Sequence, residues 1–201
     1  MSDRQAFIQK YQKNLAYKDE ELRKRAEARG VSVLSDEIGE FLGFYLKNKS
    51  IKEVVEIGSG YAYSTKLLHI LLPEANIVSL ERHAPRYEIA KTLLNHPKVE
   101  FILGDGQSYL NQREKAIDLL FLDGSKPHYC FFLQEALPLM KKGSFLIADN
   151  IFGRGFSYNK ESEKRHGTLQ RRMATFLDLA FKEFNATLLP LDDGLLIGEK
   201  K

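Results

Sequence analysis

The spacing of apolar positions changes near residue 52. Before it, Phe7, Ile8, Tyr11 and Leu15 recur at helical intervals, so residues 2–48 are expected to be helical. A second helix, about 19–29, is predicted to stop at Gly30. Ser35 offers an N-cap to a third, whose apolar face is Ile38, Phe41, Leu42 and Tyr45. Past residue 52, short apolar runs alternate with amphipathic stretches. The runs at 53–58, 76–81, 99–105, 117–123 and 144–150 read as strands. Helices are predicted over 64–72, 85–95 with Pro85 in the first turn, 107–112, most of 128–140, and about 165–184. Such alternation implies a doubly wound α/β fold, a mostly parallel sheet with helices on both faces. The end differs: two apolar runs in 186–200 flank Asp192-Asp193-Gly194, and Asp-Gly there signals an antiparallel hairpin.

Composition narrows the setting. The 201 residues suit one domain, 1–201, with a helical extension over 1–50 and the α/β core over 51–201. No run of about 18 apolar residues occurs, so no membrane span is expected. The first residues lack the apolar stretch of a signal peptide. Cys130 is the single cysteine and is expected on a helix face; the chain cannot form an internal disulfide, which fits a cytoplasmic location. Net charge is +3, but six Lys/Arg (Arg154, Lys160, Lys164, Arg165, Arg171, Arg172) stand against Glu161 and Glu163 between 154 and 172. That stretch reads either as a solvated helix face and loop or as a phosphate-attracting stripe.

The chemistry gathers at predicted strand ends. Gly58 and Gly60 in "EIGSGYAYS" allow a tight turn and a close backbone approach to a ligand. A dinucleotide fingerprint needs a third glycine where Tyr63 stands, so the loop suits a nucleoside ligand without phosphates, such as S-adenosylmethionine. Glu56 can meet a cationic amino-acid group, Glu81 both ribose hydroxyls, and Asp105 an adenine amino group; each acid alone could equally be a cap or turn residue. Asp123 ends strand four and Asp149-Asn150 end strand five. Neighbouring strands lie about 4.8 Å apart, so two carboxylates and an amide oxygen meet in the crevice. Oxygen donors without His or Cys favour Mg²⁺, Mn²⁺ or Ca²⁺; the alternative is a helix cap and a turn. Lys126 follows in "DGSK", where a nearby cation would favour its neutral, basic form. His69, His83, His96, His128 and His166 show no metal spacing, and His128 is expected at the surface.

Taken together, "VVEIGSGYAYS", "VSLE", "GDGQ", "FLDGSK", "LIADNIF" and "LDDGLLIG" resemble the cation-dependent O-methyltransferases over about residues 30–200. That family includes catechol and caffeoyl-coenzyme A O-methyltransferases and bacterial enzymes that methylate 5-hydroxyuridine in tRNA. The resemblance implies a Rossmann-like seven-stranded sheet in the order 3-2-1-4-5-7-6. It implies Asp123, Asp149 and Asn150 as metal ligands and Lys126 as general base. It assigns Glu56, Gly58, Ser64, Glu81, Asp105, Gly106 and Asp123 to S-adenosylmethionine, with Gln107 as a further contact. Two departures stand out: Ala62 replaces the usual glycine before Tyr-Ser, and "DGSK" replaces the commoner Asp-Ala-Ala-Lys.

The expected reaction is divalent-cation-dependent methyl transfer to a hydroxyl of an acceptor with two adjacent oxygens. A small catechol-like molecule would use an apolar pocket, with Phe152, Phe156 and Tyr158 as candidate lining. The alternative acceptor is a tRNA 5-hydroxyuridine held through the basic stretch at 154–172. A non-catalytic cofactor-binding module is opposed by the intact Lys126 and acid–acid–amide trio, and a nicotinamide oxidoreductase by Tyr63. The resemblance leaves room for a homodimer through the N-terminal helices.

Overall fold

The structure, a computed structural model, describes residues 18–158 and 163–201 together with Phe7 and Lys10; for 163–166 it describes the backbone alone. The expected positions Ile8, Tyr11, Leu15, Lys160 and Glu161, and the side chains of Glu163, Lys164, Arg165 and His166, lie outside the described residues.

Two short helices precede the sheet. In α1 (Glu20–Glu27), Asp19 caps the first turn by accepting the Leu22 N–H at 2.9 Å, while Leu22 and Ala26 are buried. The helix ends at Glu27, about two residues before the expected bound; a turn follows and closes at Gly30, whose φ of +66° is readily open to glycine. In α2 (Asp36–Tyr45), Ser35 accepts the Ile38 N–H at 3.3 Å and Ile38 and Leu42 face inward.

The sheet follows the expected alternation: β1 (Glu53–Ile57), α3 (Tyr63–Leu71), β2 (Asn76–Glu81), α4 (Ala84–Leu93), β3 (Val99–Leu103), α5 (Gly106–Gln112) and β4 (Ile117–Leu122). A 3₁₀ turn at Lys126–His128 then leads into α6 (Tyr129–Ala136), β5 (Met140–Ala148), α7 (Glu163–Glu183), β6 (Phe184–Leu189) and β7 (Leu195–Lys200). The seven strands take the order β3-β2-β1-β4-β5-β7-β6. β1 to β5 pair in parallel; β7 is antiparallel to both β5 and β6, so the predicted terminal hairpin is present.

Alternation along the strands divides the core into two layers. Leu119 and Phe121 of β4, with Phe145 and Ile147 of β5, pack under α1 to α3. Leu120, Leu122, Leu146 and Ala148 face α5, α6 and α7. β5 begins earlier than its apolar run suggested. Met140 pairs with Ile117 but Phe145 with Leu119, so a bulge separates the two pairings. Gly143 (φ +85°) turns there, and Ser144 Oγ donates to Ile117 O at 2.8 Å. Among the described residues, no helix is long and apolar enough to cross a membrane.

Candidate active site

The carboxyl ends of β1, β2, β3 and β4 open on a cavity of about 380 Å³, where ligands bind in doubly wound sheets. Its wall includes Gly58, Ser64, Glu81, Asp105, Gly106, Asp123, Lys126 and Asn150, so eight of the ten residues singled out in the sequence meet there. Gly58 has a role the sequence reading did not assign. Its φ is +109°, and a Cβ would lie 2.4 Å from the carbonyl oxygen of Asp123. The glycine therefore lets the tip of β1 lie against the tip of β4, which fixes where Asp123 stands. Gly106 packs as tightly, with Ile57 Cγ2 2.9 Å from where its Cβ would be.

The three acids at the carboxyl ends of β1, β2 and β3 are placed differently. Glu81 accepts the Gly60 N–H at 3.0 Å through one oxygen and the His83 N–H at 2.9 Å through the other. Its carboxylate is thereby fixed at the cavity wall with lone pairs to spare. Asp105 caps α5 by accepting the Ser108 N–H at 3.0 Å, so a capping role and a cavity position coexist. Glu56 lies beneath the glycine loop, fully buried, and does not border the cavity. One of its oxygens accepts from Thr65 and Ser79, each at 2.5 Å; the other, Oε1, has no hydrogen-bond partner among the described residues. Burial raises its pKa, opposed by the Ser64, Ser79 and Thr65 hydroxyls. Gln107 turns away and donates to Glu135 at 3.2 Å.

Asp123 and Asp149 stand on adjacent strand ends. The Asp123 N–H donates to Ile57 O at 3.0 Å and the Asp149 N–H to Leu122 O at 2.9 Å. Burial pushes the Asp123 carboxyl well above its ordinary range, and the charges of Asp149 and Glu56 push it further. Asp149 is pushed up to about 6, first by burial, then by the charges of Asp192 and Asp193, with the Asn150 N–H and Lys126 opposing. Asn150 has a φ of +54°, and Lys126 Nζ donates to its Oδ1 at 3.4 Å. Among the described residues, no three His, Cys, Asp or Glu side chains gather as a metal site; the trio here is two carboxylates and an amide. Asp149 raises the Asp123 carboxyl, and Asp192 and Asp193 raise that of Asp149; a divalent cation would relieve this crowding of negative charge, and the oxygens suit Mg²⁺, Mn²⁺ or Ca²⁺.

A second cavity of about 570 Å³ lies beside the first, bordered by Ser32, Lys126, Asn150, Arg154, Phe156 and Asp193 among others. Ser32, Lys126 and Asn150 border both. Of the expected aromatic lining, Phe156 is present. Phe152 instead packs against Gly194 and meets the Tyr158 ring edge-on at 5.8 Å. The loop after β5 is tied to the β6–β7 turn: the Ile151 N–H donates to Gly194 O, the Phe152 N–H to Asp193 O, and the Arg154 N–H to Asp193 Oδ1 at 2.7 Å.

Three features escaped the sequence. Gly30 to Leu34 wall the first cavity, with Val31 Cγ1 3.3 Å from where a Gly60 Cβ would be. Arg23 holds this segment: it donates to Leu34 O, Asp36 Oδ1 and Tyr63 Oη, and lies over the Tyr63 ring. Tyr63 thus serves as a docking post for the N-terminal segment. His128, expected at the surface, borders the cavity and pairs with Ser125 Oγ at 2.9 Å. Asp192 and Asp193 approach Asp149 from the terminal hairpin, which their sequence distance concealed.

Comparison with known proteins bears on the family and the fold. Tricin synthase 1 from Oryza sativa subsp. japonica is 29% identical over 130 residues, 58% of this chain and 52% of that protein. Catechol O-methyltransferase B from Danio rerio is 28% identical over 130 residues, 59% of this chain and 49% of that protein. The matched stretch thus spans about half the length of these relatives. The crystal structure of an O-methyltransferase from Bacillus cereus in complex with SAH superposes with a TM-score of 0.81 at 22% identity, covering 98% of this chain and 96% of that one, and so shares the fold. The O-methyltransferase family pattern matches residues 10–201, nearly the whole chain, and the chain belongs to that family.

Proposed function

We propose that the protein transfers a methyl group from S-adenosylmethionine to a hydroxyl of an acceptor bearing two adjacent oxygens, in a divalent-cation-dependent reaction. The observation that carries this reading is the wall formed by Lys126 and Asn150 between two cavities of about 380 and 570 Å³. Both volumes suit small-molecule ligands. In this reading the first takes the cofactor, the second takes the acceptor, and the reacting atoms meet at the wall. Residues 1–201 act as one catalytic domain, with 51–201 as core and the segment ahead of it closing the cofactor side.

Glu81 would hold the ribose hydroxyls, Asp105 and Gly106 the adenine end, and Gly58, Ser64 and Asp123 the methionine end. Glu56, with its unpartnered oxygen beneath the loop, would attract the amino-acid cation of the cofactor from below. Asp123, Asp149 and Asn150 would hold Mg²⁺, with Mn²⁺ or Ca²⁺ as alternatives. When bound, the cation supplies Lewis acidity that makes the acceptor hydroxyl more acidic. Lys126 would take the hydroxyl proton at Nζ, and the shared wall would hold both reactants at attack distance.

A catechol-like small molecule is the acceptor we favour, supported by the small-molecule volume of the second cavity and by a relative named for catechol. A second reading, a 5-hydroxyuridine in tRNA, is supported by Arg154, Phe156 and the exposed Tyr158 in the loop bordering that cavity, a cation-and-ring arrangement suited to nucleotides. Methyl transfer from labelled S-adenosylmethionine, assayed on catechols and on undermodified tRNA, decides between them. Label on catechol with none on tRNA supports the first reading, the reverse supports the second, and label on neither removes both.

A further inference from the structure

Tyr129 opens α6 with its side chain fully buried and its ring edge-on to Phe176 of α7 at 5.5 Å. Its hydroxyl lies 3.2 Å from Leu122 O and 3.2 Å from Asp149 O. These carbonyls terminate two adjacent strands. Each belongs to a peptide plane that carries a prospective ligand: Leu122 O lies in the plane leading to Asp123, and Asp149 O in the plane leading to Asn150. A phenol has one proton, and here it is shared between two acceptors in a three-centre arrangement. Leu122 O already accepts the Asp149 N–H at 2.9 Å, so the hydroxyl closes a small ring of contacts across both strand tips. Holding the 149–150 peptide plane also restrains rotation into Asn150, whose φ of +54° is uncommon for a residue with a side chain.

We infer that Tyr129 is a positioning residue for the metal site: its hydroxyl sets the spacing of the β4 and β5 tips and thereby the separation of Asp123 from Asp149 and Asn150. The inference rests on the metal reading proposed above. Outer partners that orient metal ligands contribute about 10- to 100-fold to affinity. Tyr129→Phe keeps the ring and its packing on Phe176 and removes the hydroxyl.

The test is Mn²⁺ binding to the full chain, measured by calorimetry, with S-adenosylmethionine affinity and thermal midpoint measured alongside. Tyr129→Phe is expected to weaken Mn²⁺ binding about 10-fold or more and to leave cofactor affinity within about twofold. Ser144→Ala is the structural control: it removes a buried hydroxyl that bonds Ile117 O at the other end of the same strand pair. It is expected to lower the midpoint and leave Mn²⁺ affinity unchanged. 4-Aminophenylalanine at position 129, which restores a donor, should recover the affinity. Unchanged Mn²⁺ binding in Tyr129→Phe, or equal weakening in Ser144→Ala, overturns the inference. So does a Tyr129→Phe chain that does not fold, because the hydroxyl then serves the fold. Asp149→Ala distinguishes the two ways of failing. If it binds Mn²⁺ like the parent, the metal reading itself is wrong; if it loses Mn²⁺ while Tyr129→Phe keeps it, the positioning role alone is wrong.

Discussion

At the residue scale, the glycine loop beside the cavity contains a backbone conformation that its sequence does not favour. Ala62 is buried at the start of α3 with φ +64° and ψ 21°, a left-handed conformation that disfavours a Cβ by about 1–2 kcal/mol. The resemblance noted in the sequence implies a glycine at this position. Replacing it should relieve the strain, less the extra chain entropy that glycine loses on folding. Ala62→Gly is expected to raise unfolding free energy by about 0.5–1 kcal/mol, read as a higher urea midpoint at unchanged slope. Lys126 shows the opposite balance. Its side chain is half-buried and, among the described residues, makes a long hydrogen bond to Asn150. Lys126→Ala should cost about 0.5 kcal/mol or less in stability while lowering methyl transfer by about 100-fold or more, measured as single-turnover rates with saturating cofactor.

At the element scale, α1 and the segment after it are held to the glycine loop by polar contacts. Asp19 caps α1 and also meets Lys66 of α3 at 2.6 Å. The Lys66 hydrogen bond, followed by the Leu22 N–H, holds the Asp19 carboxyl below its ordinary 3.8. A depressed carboxyl contributes stability that is present above the unfolded value and is lost as pH falls through the folded one. Thermal midpoints should therefore drop below about pH 4, and Asp19→Asn should flatten that slope, in a scan of midpoint against pH. The elements themselves were legible where periodicity was strong. Strands such as "EVVEI" and "IDLLFL", and the acids just beyond them, follow from burial on both faces and from ligands gathering at strand ends. What stayed hidden was non-local. Nothing in "VSVL" indicates that it will wall a cavity against Gly60, because that contact depends on Arg23 reaching Tyr63. The early start of β5 was obscured by Lys141 and Lys142, which interrupt its apolar run.

At the scale of the whole molecule, the site joins parts far apart in the chain: the N-terminal segment, five strand ends and the terminal hairpin. If a divalent cation is held at the junction, EDTA should abolish turnover and added Mg²⁺ should restore it; turnover that persists in EDTA contradicts the metal reading. The Ser32 segment borders both cavities, whereas Phe156 and Leu169 border the second alone. If the two cavities hold cofactor and acceptor as proposed, a substitution near Ser32 perturbs both binding equilibria together, and any gain for a new acceptor carries a cofactor penalty. Changes at Phe156 or Leu169 escape that linkage, so acceptor preference can drift on the hairpin side of the partition while nucleoside recognition stays fixed on the other.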